Sequence, residues 1–235
     1  METVDAILAR LVPVYRAAAD PVKAVGARAY MRDQFPFLGI PTVRRRELSR
    51  EVLAGQPAPT PDDLRTIALA CWELPEREYQ YFASDLLVRY ARQLEPGFLD
   101  TVRHLVTTKS WWDTVDALAS KVVGPIVARY PQTVATMDAW LVDENMWLAR
   151  TAILHQLAYQ ERTDTGRLFR YCLARADHRD FFIRKAIGWA LRQYAWTDPE
   201  AVRRFVAAHA TELSPLSVRE ALKNIKDLRS PAAPR

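Results

Sequence analysis

Trp147-Leu148-Ala149-Arg150-Thr151-Ala152-Ile153 recurs as Phe181-Phe182-Ile183-Arg184-Lys185-Ala186-Ile187, and again as Leu216-Ser217-Val218-Arg219-Glu220-Ala221-Leu222. The shifts are 34 and 35 residues, a period that holds two helices and their turns. One such hairpin cannot bury its apolar face alone, so neighbouring units must stack. The reading is an all-α solenoid. Arg150, Arg184 and Arg219 hold the same place in successive units, so stacking should line them up as a track for phosphates. The competing reading pairs each arginine with an acid in an adjacent unit.

Outward from this repeat, nearly the whole chain reads as short helices. They are expected at 3–18, 22–34, 42–54, 61–73, 76–92, 97–107, 111–121, 123–129, 132–142, 146–160, 164–175, 180–195, 199–209 and 218–228. Thr60-Pro61-Asp62-Asp63 supplies a cap, a first-turn proline and acids at the positive helix end. Thr197 to Glu200 and Ser217 to Glu220 have capping-box spacing, and Ser110 suits the cap of the helix that follows it. No segment alternates as a strand would. Residues 1–229 are expected to form one repeat domain, with 230–235 a frayed tail.

Composition narrows the function classes. The 235 residues suit a single domain or solenoid, and 49% hydrophobic content is enough to build a core. With only 7 glycines, and no G-x-x-x-x-G-K pattern, a phosphate-cradling loop is disfavoured. Two distant cysteines, Cys71 and Cys172, and four scattered histidines make no metal-ligand spacing. The thiols read as buried and free, in a reducing compartment. A net charge of +5 suits a phosphate backbone without demanding one. The first 20 residues carry Glu2 and Asp5 and lack the apolar run of a signal peptide, and no other stretch could span a bilayer. A cytoplasmic, monomeric protein without metal or cofactor is expected, nucleoid-associated when bound to DNA.

Two places point to chemistry. In Asp180 to Ala195, Ile183, Ile187, Leu191 and Tyr194 share one broad apolar face. Phe182, Lys185, Trp189 and Arg192 fall on the other side. A tryptophan between two cations, turned from the core stripe, suits a platform for a sugar or base with phosphate contacts beside it. It also suits a tryptophan buried between repeats. In Trp111-Trp112-Asp113-Thr114-Val115-Asp116, the residues Trp111, Val115 and Leu118 follow core spacing, while Trp112 and Asp116 stack on a different face. An indole beside a carboxylate can hold a cationic centre, although an ordinary surface acid beside a packing tryptophan has the same spacing.

The strings Tyr30 to Ile40, Trp72 to Glu78, Thr108 to Asp116, Trp147 to Leu154 and Lys185 to Arg192 resemble, in order, the AlkD-like alkylpurine DNA glycosylases. The likeness runs from about residue 20 to 226. It implies HEAT-like repeats, curved, with a basic concave face that binds double-stranded DNA. It implies excision of N3- and N7-alkylated purines without a strand break, without a cofactor and without flipping the base. By position, Asp116 matches the catalytic carboxylate, and Trp112 and Trp189 match the tryptophans that cradle the deoxyribose. Arg150 matches an arginine on the DNA backbone, and Tyr30, Phe181 and Phe182 match aromatics on the DNA-facing surface. With the cations Arg184, Lys185, Arg192 and Arg219 these make up the expected DNA contacts. The chain departs from the pattern at Ala158, where a lysine is expected, and in the loop 41–46, which bears on DNA affinity and lesion preference. Adducts of DNA-alkylating natural products, and hence self-resistance, fall within the same reading. The rival is a HEAT-type scaffold without enzymatic activity, or a damage-binding protein.

Overall fold

Asp20 opens the first recognisable motif by capping a helix with a proline at its first position, accepting from the amides of Val22 and Lys23 at 3.1 Å. The structure, a computed structural model, describes residues 2–225. The expected tail 230–235, and the end of the helix expected at 218–228, lie outside them. Among the described residues all regular structure is helical. The described residues form two compact units, which meet in sequence between Lys109 and Ser110.

In the first unit, α1 (Glu2–Ala17), α2 (Pro21–Tyr30), α3 (Thr42–Leu53), α4 (Pro61–Glu73), α5 (Arg77–Arg89) and α6 (Leu99–Thr107) follow one another. Ile7, Leu11 and Tyr15 form a helical-period stripe on α1 that packs on α3 and α4. Tyr15 stacks on Tyr79 with centroids 5.7 Å apart and hydrogen-bonds Ser49 at 2.8 Å. Thr60 and Asp63 close a reciprocal capping box on α4, as their spacing predicts. The helix expected at 22–34 stops at Tyr30, because Arg32 and Asp33 turn left-handed with φ of 54° and 57°.

The motif Phe35 to Ile40 is a scaffold in this unit. The buried carboxylate of Glu78 accepts from the amides of Leu38 at 2.9 Å, Gly39 at 2.8 Å and Ile40 at 3.2 Å. Gly39 has a φ of +84°, and a Cβ there would stand 2.1 Å from the carbonyl oxygen of Asp20, so only glycine fits. Trp72 is likewise structural, its Nε1 donating to the carbonyls of Leu105 and Thr108.

The second unit comprises α7 (Trp112–Leu118), α8 (Gly124–Arg129), α9 (Val134–Leu141), α10 (Met146–Leu154), α11 (Thr165–Ala174), α12 (Phe181–Tyr194), α13 (Pro199–Ala208) and α14 (Pro215–Ala221). No break separates α7 from α8. A π turn, Ala119–Val123, joins them where a boundary is expected from sequence. Pro125 lacks the amide that would continue the ordinary ladder, and the wider turn accommodates the loss. The helix expected at 146–160 ends at Leu154. Trp147 to Leu154 are all buried, because α10 packs against α7, α9, α11 and α12.

Short polar caps begin the later helices. Asn145, Asp164 and Asp180 cap α10, α11 and α12. Three sequence-based caps need correction. Asp198, not Thr197, caps α13, and Ser214, not Ser217, caps α14, whose start moves to Pro215. Trp111, not Ser110, precedes α7, and no side chain caps it. Neighbouring polar residues satisfy the same spacing rule, and only the backbone turn selects one. Cys71 and Cys172 are free and buried as expected, and burial pushes both thiols well up, Cys71 to about 12.

Candidate active site

On α7, Val115 and Leu118 point into the core and leave Asp116 on the adjoining face, its side chain 13% exposed. Arg150, in the middle of buried α10, meets it along both edges. Nε donates to Oδ1 at 2.7 Å and Nη2 to Oδ2 at 2.8 Å. The third donor of the guanidinium, Nη1, binds the carbonyl oxygen of Phe182. Burial pushes the Asp116 carboxyl above its ordinary value, with Arg150 pulling against that shift. The Phe182 ring, 5.9 Å from the Arg150 guanidinium, belongs to a cluster in which Trp111 lies 5.9 Å from Trp147 and 4.9 Å from Phe182, and Trp147 lies 5.1 Å from Phe182.

Asp116 and Trp189 line one cleft in this unit. Ser120, Lys121, Ala158, Gln160 and Gln193 line it with them. Ser120 Oγ donates to the carbonyl of Asp116 at 2.7 Å. Trp112 stands one turn before Asp116 on α7, half-buried. A carboxylate and an indole that line one cleft can together stabilise a cation bound in it.

Lys121, Gln160 and Gln193 are cleft residues that the sequence did not reveal. On an ordinary helix Lys121 would lie about 140° round from Asp116. It follows Asp116 through the π turn, where that periodicity does not hold, so no helical wheel finds it.

The other expected DNA contacts are placed as follows. Tyr30, the last residue of α2 in the first unit, is 71% exposed. Phe181 is exposed, while Phe182 is half-buried in the aromatic cluster. Arg150, its side chain 5% exposed, is occupied by Asp116, which is the paired reading of the arginine series. Arg184 donates to the carbonyl of Arg179, and Arg219 is exposed. The three arginines therefore have three different environments. Lys185 and Arg192 both reach Glu220, at 2.9 Å and 2.7 Å. On α12, Ile183, Ile187 and Leu191 are fully buried as expected, but Tyr194 is half-buried. Gly188 is buried too, against Ser217 and Glu220 of α14, and Ala190, about 200° round the helix, is buried beside Ile153 of α10.

A helical-repeat fold carrying an aromatic and acidic cleft is what the two units and this geometry define. The chain belongs to the family described as DNA alkylation repair enzyme, which it matches over residues 13–225. Among solved structures it is similar to a predicted DNA alkylation repair enzyme from Enterococcus faecalis, at 34% identity and a TM-score of 0.80. That likeness covers 87% of this chain and 95% of the other. No curated protein gives a match. The AlkD-like resemblance drawn from the motifs thus holds, and with it the all-α repeat fold, a part in the repair of alkylation damage and DNA as partner. No helix among the described residues is long and apolar enough to cross a membrane, and none of their His, Cys, Asp and Glu side chains group in threes to hold a metal.

Proposed function

We propose that the protein is a DNA glycosylase that hydrolyses the N-glycosidic bond of N3- and N7-alkylated purines in duplex DNA. The observation that carries this reading is the single cleft shared by the Asp116 carboxylate and the Trp189 indole. An alkylated purine carries positive charge and leaves readily. As the bond from C1′ to the base nitrogen breaks, its electron pair leaves with the purine and positive charge develops on the sugar. Groups that stabilise that charge more than the ground state raise the rate. Asp116 supplies negative charge and can accept the proton of the water that adds to C1′. Trp189 and Trp112 supply indole faces worth about 0.5–2 kcal/mol each. The products are a free purine and an abasic site, and the strand is not cut.

In this reading Tyr30, Phe181, Phe182, Arg184 and Arg219 are the candidates for contact with DNA, Lys185 and Arg192 are held by Glu220, and Arg150 acts on the site through Asp116. The enzyme holds the sugar and backbone and leaves the base unenclosed, so bulky adducts are accepted as well as methyl groups. The small side chains Ala117 and Ala158 in the cleft favour this. Incubation with duplex DNA methylated at guanine N7, with chromatography of the released base, tests the assignment. Wild type should release 7-methylguanine, and Asp116→Asn should do so on the order of 10²-fold more slowly or worse. Equal release by both would remove Asp116 from the chemistry. DNA binding without release of either methylated or bulky adducts would leave a damage-binding protein.

A further inference from the structure

Trp189 presents its indole from a helix that is gripped on the side away from α10. Gly188, immediately before it, approaches α14 so closely that a Cβ would stand 2.5 Å from Cβ of Glu220 and 2.9 Å from the carbonyl oxygen of Ser217. The stem of Glu220 thus enters the surface of α12 beside Trp189. Its carboxylate takes Lys185 Nζ on Oε1 at 2.9 Å and Arg192 Nη1 on Oε2 at 2.7 Å. Lys185 lies one turn before Trp189 and Arg192 almost one turn after it, on the same side of the helix. Two long cationic side chains that start on either side of the indole are therefore drawn to one point next to residue 188. The Glu220 side chain is only 11% exposed, whereas Arg192 is 23% and Lys185 38% exposed, so the carboxylate is sheltered while its partners reach solvent. A carboxylate so sheltered is held by both partners, and removing its charge releases them.

We propose that Glu220 is a positioning residue for Trp189, which holds the indole toward the cleft by clamping Lys185 and Arg192, and that the same clamp withholds those two cations from DNA phosphates. The catalytic part rests on the glycosylase reading above. The clamp and its effect on binding do not. Restraint and charge then act in opposite directions. Loss of the clamp loosens the platform and slows excision, yet it frees positive charge and tightens binding to undamaged duplex. A residue that merely supported the fold would weaken both together.

Glu220→Gln keeps the shape and removes the charge. In protein labelled with 5-fluorotryptophan, the Trp189 resonance is assigned by its loss in Trp189→Phe. In Glu220→Gln that resonance should shift or broaden, while most of the other six hold their positions. Undamaged duplex should bind more tightly, with a salt slope steeper by roughly one to two charges. Single-turnover release of 7-methylguanine should fall about 3- to 10-fold. Glu220→Asp, with its charge on a shorter stem, should lie between. An unmoved Trp189 resonance, or affinity and rate falling in step with melting temperature, overturns the proposal. If wild type releases no base, the glycosylase reading alone fails, and the fluorine spectrum and salt slope still decide whether Glu220 clamps the platform.

Discussion

The guanidinium of Arg150 lies edge to edge with the carboxylate of Asp116, with hydrogen bonds of 2.7 Å and 2.8 Å to its two oxygens. This bidentate geometry fixes the orientation of the acid, and a lysine could not reproduce it. Burial raises the Asp116 pKa and Arg150 opposes the rise. The proposed mechanism needs the carboxylate form, so excision should fall on the acid side with an apparent pKa above the ordinary 3.8 of an aspartate. Arg150→Gln removes the opposing charge, so that limb should move to higher pH and the rate at neutral pH should drop. Single-turnover pH profiles of both proteins check this. A limb that stayed in place would show that Arg150 does not act through Asp116.

Trp112→Ala and Trp189→Ala should each slow excision about 2- to 30-fold, the range of one cation–π contact. Both indoles are assigned to the same developing charge, so the double variant should lose less than the product of the two effects. Fully multiplicative losses in single-turnover rates would place the tryptophans on separate steps.

Glu78→Ala strands three buried backbone amides, those of Leu38, Gly39 and Ile40. An unsatisfied buried donor costs on the order of 1–3 kcal/mol, so the first unit should lose about 3 kcal/mol or more. Urea unfolding is the measurement. A midpoint close to that of wild type would mean that the loop finds other acceptors.

His155 is fully buried; its Nδ1 donates to the carbonyl of Ala152 at 2.6 Å, and Nε2 has no hydrogen-bond partner. Burial lowers its pKa from 6.5 to about 4. Between those values the unfolded chain takes up a proton that the folded protein refuses. The contribution of the neutral ring is complete above pH 6.5 and is lost progressively as pH falls to about 4. The loss is on the order of 3 kcal/mol. His155→Asn should flatten the stability profile in that window. An equally steep profile in the variant would assign the acid sensitivity to other groups.

Much of the fold is legible in the chain because helices announce themselves locally. The 34- and 35-residue recurrence, the apolar period of Ile183, Ile187 and Leu191, and the Thr60 to Asp63 box are all contained within a few turns. Caps were harder wherever two polar residues competed, as at Thr197 and Asp198, because backbone dihedrals make that choice. Trp112, Asp116 and Trp189 stand out by type and spacing, and the motifs around them carry the family.

The sequence by itself determined the class of fold, the family and the residues worth testing, since periodicity and motif order depend only on neighbours along the chain. Tertiary structure alone decided what each cation does. Arg150, Arg184 and Arg219 occupy matching places in the repeat, yet one grips Asp116, one turns to the backbone of Arg179 and one is exposed. Lys185 and Arg192 flank Trp189 but reach Glu220, and Lys121 enters the cleft after a π turn. The pairings of Arg150 with Asp116 and of Lys185 and Arg192 with Glu220 join residues about 30 positions apart, and they depend on which acid the packed neighbour brings within about 3 Å, a distance that no local pattern encodes.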